Sequence, residues 1–127
     1  MPTYNNSLFL PPAPVAEITL RHSISGAALP DVLMLIDSGA DVTLLPRPFV
    51  RLLEIAVIPD VRYPLAGFDG HVADYEAVRA DVIFQGQTFR GQYLVIDEDW
   101  GLLGRDILNH LRLVLDGPAL SWEAGAT

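Results

Sequence analysis

Apolar positions along the chain fall into short bursts with a period of two, and few stretches carry the period of a helix. Residues 18–24 alternate, with Ile18 and Leu20 followed by His22 and Ile24, as a half-buried strand would. Residues 32–36 form an unbroken apolar run, Val32-Leu33-Met34-Leu35-Ile36, which predicts a strand buried on both faces. Further strands are predicted at 42–45, 61–63, 72–75, 78–84, 89–96, 111–115 and 119–122. Ten glycines and ten prolines break these segments apart. Gly67-Phe68-Asp69-Gly70, Gln85-Gly86-Gln87 and Asp116-Gly117-Pro118 mark hairpin turns. Two short helices are predicted, one opened by Pro48 and running to Glu54, the other over residues 105–110. Residues 1–16, with Pro11-Pro12-Ala13-Pro14, cannot form a central strand and read as an extended arm or edge. The pattern predicts one all-β domain spanning residues 1–127.

Composition narrows the function classes. Half of the 127 residues are hydrophobic, enough to bury a core and too many for a disordered chain. No apolar run reaches the roughly 18–20 residues that span a bilayer. The first residues carry no basic run, so a cytoplasmic location is expected, and the absence of cysteine fits it. With no cysteine and only His22, His71 and His110, well separated, no metal and no cofactor are expected. A net charge of −8 without any Lys/Arg cluster argues against nucleic acid or an anionic membrane as partner.

Candidate chemistry sits in residues 35–45, Leu-Ile-Asp-Ser-Gly-Ala-Asp-Val-Thr-Leu-Leu. A buried strand that delivers Asp37 into a glycine-containing turn is unusual, because desolvating a carboxylate is costly unless it is hydrogen-bonded or paired. Asp37 and Ser38 could simply bond to nearby backbone, as in any Asx turn. Residues 102–108, Leu-Leu-Gly-Arg-Asp-Ile-Leu, taken alone are a strand-to-helix junction with Arg105 on the surface.

Together the two segments resemble the retropepsin-like (retroviral-type) aspartic proteases. In that family two hydrophobic residues precede Asp-Thr/Ser-Gly-Ala/Ser, and a hydrophobic-hydrophobic-Gly-Arg-Asp/Asn segment follows near the end of the chain. The resemblance covers residues 18–115 and includes a glycine-bracketed hairpin in the right place between the motifs. It implies a closed, barrel-like all-β fold with a flap hairpin at 62–75, one short C-terminal helix and C-terminal strands within 111–123. It further implies a homodimer that hydrolyses peptide bonds of a polypeptide substrate. Asp37 would be the catalytic acid, paired with its symmetry mate. Ser38 would bond across the dimer, and Gly39 and Ala40 would keep the approach of the substrate open. Asp41 would contact the substrate backbone or serve as an internal ion-pair partner. Gly67, Phe68, Trp100 and Leu102 would line the substrate cleft, with Trp100 equally readable as a plain core or surface aromatic. Gly104 would lie beneath the Asp37 loop and Arg105 would fork onto Asp41, strongly stabilising if that pair is buried and weakly if exposed.

Ser38 stands where the viral enzymes often have Thr, and Phe68 and Asp69 stand where their flap tips are richer in Gly and Ile. The N-terminal extension and longer C-terminal strand pair look more like the cellular or prokaryotic members than the viral ones. A catalytically weak dimerisation or peptide-binding module is the alternative, disfavoured by the retained Asp37. A carboxylate metal site from Asp37, Asp41 and Asp106 is weaker still, since their spacing matches no known ligand pattern.

Overall fold

Strand β2 (Ala13–Arg21) is paired along both edges, and this double pairing closes the sheet. On one side it meets β3 (Ala28–Ile36), and on the other it meets β6 (Val72–Phe84). The remaining strands of the ring are β4 (Leu44–Pro46), β7 (Gln87–Ile96) and β8 (Gly101–Leu103), in the order β2-β3-β8-β4-β7-β6 and back to β2. The computed structural model describes residues 2–66 and 70–125. Strand accounts for 56% of the described residues and helix for 8%, which makes the class all-β.

The closure depends on an irregularity in β3. Ile18 faces Val32 but Leu20 faces Leu29, so β3 carries one extra residue at Pro30-Asp31, where Asp31 adopts φ 60°. Such a bulge bends the strand pair and sharpens its twist. Past it, Thr19, Leu20 and Arg21 pair with Ile83, Val82 and Asp81 of β6.

Alternation then sorts the side chains. Ile18 and Leu20 of β2, Val32 and Met34 of β3, and Val78 and Val82 of β6 are at most 1% exposed and form the main core. The 32–36 run is less enclosed than its composition suggests. Val32 and Met34 are buried and Ile36, on the same face, is half-buried against the main core, whereas Leu33 and Leu35 are half-buried and face the other side of the sheet. Helix α1 (Arg47–Leu52), with a proline in its first turn, adds Val50 to the core. Helix α2 (Arg105–Leu108) adds Ile107. Both helices are shorter at the C-terminal end than the sequence pattern predicts.

The hairpin of β5 (Val57–Ala66) with β6 pairs Arg62 with Glu76 and continues to Ala66 with Val72. Strands β9 (Leu113–Asp116) and β10 (Ser121–Ala124) form a separate two-stranded sheet. The N-terminal segment is tied in at two places. Strand β1 (Tyr4–Asn5) pairs with Ala13 and Pro14, so β2 already begins within residues 1–16, where the sequence reads as an arm. Proline is tolerated there because it lies at a strand start, against an edge strand of two residues. Thr3 bridges to Ser121, and Tyr4 N donates to Leu120 O at 3.0 Å. Trp122 enters the main core, 5% exposed, with its Nε1 donating to Val15 O at 2.8 Å. The outer edge of β10 is therefore occupied within the chain, which the sequence did not reveal.

On the outer face of the ring, Asp81 is fully buried between two arginines that stand directly opposite it in register, Arg21 on β2 and Arg90 on β7. Arg90 Nε donates to Asp81 Oδ1 at 2.8 Å, Arg21 Nε to Oδ2 at 2.9 Å, and Ser23 Oγ to Oδ1 at 2.9 Å. The Arg90 hydrogen bond is the largest influence on the carboxyl. With the help of Ser23 and Arg21 it outweighs burial and lowers the pKa to about 2. Between the unfolded-state value and about 2 the unfolded chain binds the extra proton, so stability rises with pH. The contribution, about 2 kcal/mol, is complete above the unfolded pKa and is lost as pH falls through about 2. Urea denaturation of wild type and Asp81→Asn from neutral pH to about pH 2 checks this. The stability gap between them is expected to narrow in acid, and a constant gap would show that the carboxylate charge is not what closes the seam.

Candidate active site

Strand β3 ends by handing Asp37 to a tight turn. Asp37 N donates to Leu103 O at 3.0 Å, the last rung between β3 and the segment that leaves the parallel strand β8. The turn closes with Ala40 N donating to Asp37 O at 3.1 Å and Gly39 N donating to the Asp37 Oδ1 at 2.9 Å. Among the described residues that amide is the one hydrogen-bond donor to the carboxylate. Asp37 is half-buried, while Ser38 and Gly39 are exposed. A Cβ on residue 39 would stand 3.1 Å from Asp37 Oδ1, close enough to push the carboxylate aside, so glycine keeps the amide donor within reach.

Residues 104–106 clamp this turn from below. A Cβ at Gly104 would lie 2.6 Å from the Val42 carbonyl carbon and 3.0 Å from Ala40 O, so no side chain fits where the two segments cross. Arg105 N donates to Ala40 O at 2.8 Å, and its Nη1 to Ser38 O at 2.7 Å. Its Nη2 pairs with the Asp41 carboxylate. Asp106 accepts from Thr43 N at both oxygens, 3.1 and 3.0 Å, and from Thr43 Oγ1 at 2.7 Å. The same hydroxyl accepts from Gly104 N at 3.0 Å, and Thr43 is fully buried. Sequence reasoning missed this Thr43–Asp106 clasp. The available signal was a lone hydroxyl in an apolar run, Val42-Thr43-Leu44-Leu45, which needs a buried partner.

Leu102 lies on the opposite face of β8 from the core residue Leu103, in register with Leu35 and Leu44. It joins a second apolar cluster with Leu44, Ala77 and Leu94 that also takes in Leu65 and Tyr75 of the β5–β6 hairpin. Leu102 therefore lies beneath that hairpin. Gly67 and Phe68 lie outside the described residues. Arg47 anchors the hairpin base, its Nη1 2.8 Å from Glu76 Oε1 and its Nε paired with Asp97. Trp100 is half-buried outside the main core, its ring edge-on to Phe9 with centroids 5.0 Å apart.

The structure thus brings Asp37, Ser38, Gly39, Ala40, Asp41, Gly104 and Arg105 into one cluster, with Leu102 one strand residue away. It separates the three carboxylates considered as metal ligands. Asp41 is taken by Arg105 and Asp106 by Thr43, and no group of three or more His, Asp or Glu converges among the described residues. Chemically, the cluster presents one carboxylate, that of Asp37, which no side chain engages among the described residues, on a braced turn at an open face.

No family profile and no curated protein matches the chain. Solved structures do. A retropepsin-like aspartic protease from Rickettsia conorii superposes with a TM-score of 0.60 at 14% identity, covering 91% of this chain and 84% of that one. An EIAV protease, solved in complex with the inhibitor HBY-793, gives 0.57 at 21% identity over 77% and 86%. The chain has the retropepsin-like fold.

Both members of the Arg105–Asp41 pair are open to solvent, with side chains 44% and 70% exposed. A double-mutant cycle on them is expected to give only about 0.2–1 kcal/mol of coupling. Asp106→Ala strands the buried Thr43 amide and hydroxyl and is expected to cost more, roughly 2–3 kcal/mol. Equilibrium denaturation of the single and double variants ranks the two, and an Asp41→Ala cost above that of Asp106→Ala would move the main brace to the Arg105 side.

Proposed function

We propose that the protein is an aspartic endopeptidase that works as a homodimer, each chain giving Asp37 to a shared site. The observation that carries the reading is the Asp37 turn itself. A strand end is pinned to Leu103, braced by Arg105 and Asp106, and left with a carboxylate that, among the described residues, only Gly39 N engages. A turn built solely for stability would spend that carboxylate on neighbouring donors, as Asp106 and Asp81 are spent. The retropepsin-like fold supports the same reading.

The chemistry follows from bringing two such turns together about a twofold axis. Two carboxylates in contact cannot both ionise, so they hold one proton between them. The ionised member takes a proton from a water, which attacks the scissile carbonyl, while the protonated member donates to the carbonyl oxygen. The tetrahedral adduct then collapses, with the proton passing to the leaving amine. Substrate would lie as an added strand between the β5–β6 hairpin and the floor that carries Leu102 and Leu44, which favours apolar side chains.

An apolar groove of about 270 Å³ beside the turn, lined by Ile36, Ser38, Leu108, Leu111, Leu113 and Leu115, supports a second copy as its cover. Leu115 of β9 is 53% exposed there, and the outer edge of β9 is unpaired among the described residues. Residues beyond Gly117 cannot be removed to test this, because Trp122 is part of the core.

Asp37→Asn is expected to leave the fold intact and to abolish cleavage of a mixed peptide library, and cleavage by the variant at near wild-type rate would exclude the mechanism. The wild-type pH profile is expected to be bell-shaped below neutrality, its limbs belonging to the coupled pair. Leu115→Lys is expected to weaken self-association about tenfold or more and to lower activity in step, read by sedimentation and rate against concentration. Full activity in a sample shown to be monomeric would contradict the shared site.

A further inference from the structure

The β5–β6 hairpin leaves the ring with little to hold it. Rungs between β6 and β7 end at Ala77 and Leu94, and beyond that point β6 pairs with β5. On β5, Val57 faces Val78 and Arg62 faces Glu76, which leaves residues 58–61 opposite Ala77 in an irregular stretch where Asp60 adopts φ 61°. Such a break in register lets a strand pair bend. Among residues 62–66 and 72–76 none is buried, and only Leu65, Tyr75 and Glu76 are half-buried.

Polar ties reach from the hairpin to the body on both faces. Tyr63 shares a face with its partner Tyr75 of the second apolar cluster, and its hydroxyl accepts from Gln92 Nε2 at 2.8 Å. Glu76 is on the opposite face, where Arg47 meets it. Arg47 is fixed to the floor, because Pro46 before it pairs with Ile96 of β7 and Leu44 of the same strand pairs with Leu102. Its Nε is held by Asp97 just past β7, which aims Nη1 at Glu76 Oε1, 2.8 Å away. The Arg47 side chain is 20% exposed and that of Glu76 31%, so the pair is partly shielded from screening. Arg62, within the hairpin, reaches Glu76 only at 3.8 Å.

Resting on the cleft proposed above, we infer that Arg47 is a positioning residue: through Glu76 it fixes how closely the hairpin stands over the Leu102 floor, and so how tightly a peptide is gripped. The bond-breaking chemistry stays with Asp37. A purely structural Arg47 would lower stability and leave peptide affinity unchanged.

Steady-state cleavage of one apolar peptide tests this. Arg47→Met is expected to raise KM about fivefold and to leave kcat within about twofold, because it removes grip shared by ground state and transition state. Glu76→Ala is expected to do the same, and the double variant to match the larger single effect, since both act through one pair. Arg47→Lys, which keeps the charge but loses the planar fork that engages both acids, is expected to fall between. An unchanged KM, a loss confined to kcat, or additive effects of the two substitutions overturns the inference. A second readout needs no cleavage. The chain has no cysteine, so Leu65→Cys, packed against the second apolar cluster from the hairpin, gives a single thiol whose labelling rate reports lifting of the hairpin. Arg47→Met is expected to speed that labelling about fivefold. Faster labelling without any cleavage by wild type keeps the positioning role and removes the protease. Cleavage by wild type, with labelling and KM both unmoved by Arg47→Met, does the reverse.

Discussion

The hydrogen bond from Asp37 N to Leu103 O, with the parallel pairing of β3 and β8 behind it, is the contact on which the site depends. It joins segments more than sixty residues apart, so the turn has no stable form until the C-terminal third of the chain has packed. Everything that then steadies the turn arrives from the same place. Gly104 allows the close crossing, Arg105 takes the Ser38 and Ala40 carbonyls, and Asp106 takes the Thr43 amide and hydroxyl. Three of these contacts go to backbone atoms of the loop, which is why the loop can expose Ser38 and Gly39 and still hold one shape.

The carboxylates divide by how far they are satisfied. Asp81 is enclosed by two arginines and a serine, and it secures the seam where β2, β6 and β7 meet. Asp106 is occupied by Thr43, and Asp41 by Arg105 at the surface. Asp37 is the one in this group that no side chain engages among the described residues, its donor being the Gly39 amide. Burying charge is tolerable when partners replace water, so the fully partnered acids are structural, and the under-partnered one at an open face is where chemistry is to be sought.

Much of the fold was legible in local pattern. Alternation and the Gly/Pro breaks located five of the six strands of the ring and both long hairpins, because side-chain period and turn chemistry are short-range properties; β8, three residues long, is too short to show a period. The Asp37 and Gly104-Arg105 segments were legible because close backbone approach leaves few choices of residue. What escaped were contacts set by tertiary register. Nothing local to Asp81 announces that Arg21 and Arg90 will stand opposite it on two different strands. Nothing local to Trp122 says that its indole will reach Val15 O. The burial of 32–36 was overestimated for the same reason. An unbroken apolar run does not tell a second core face from a half-open one beneath a hairpin, and Leu35 belongs to the latter.

The central claim is that one site is assembled from two copies of Asp37, and mixing tests it most directly. Wild-type and Asp37→Asn chains are refolded together at fixed total concentration and varied ratio, and peptide cleavage is followed. If both carboxylates are needed, mixed dimers are inactive, and activity falls as the square of the wild-type fraction. A linear decline would mean that each chain carries a complete site, and would contradict a site shared between two chains.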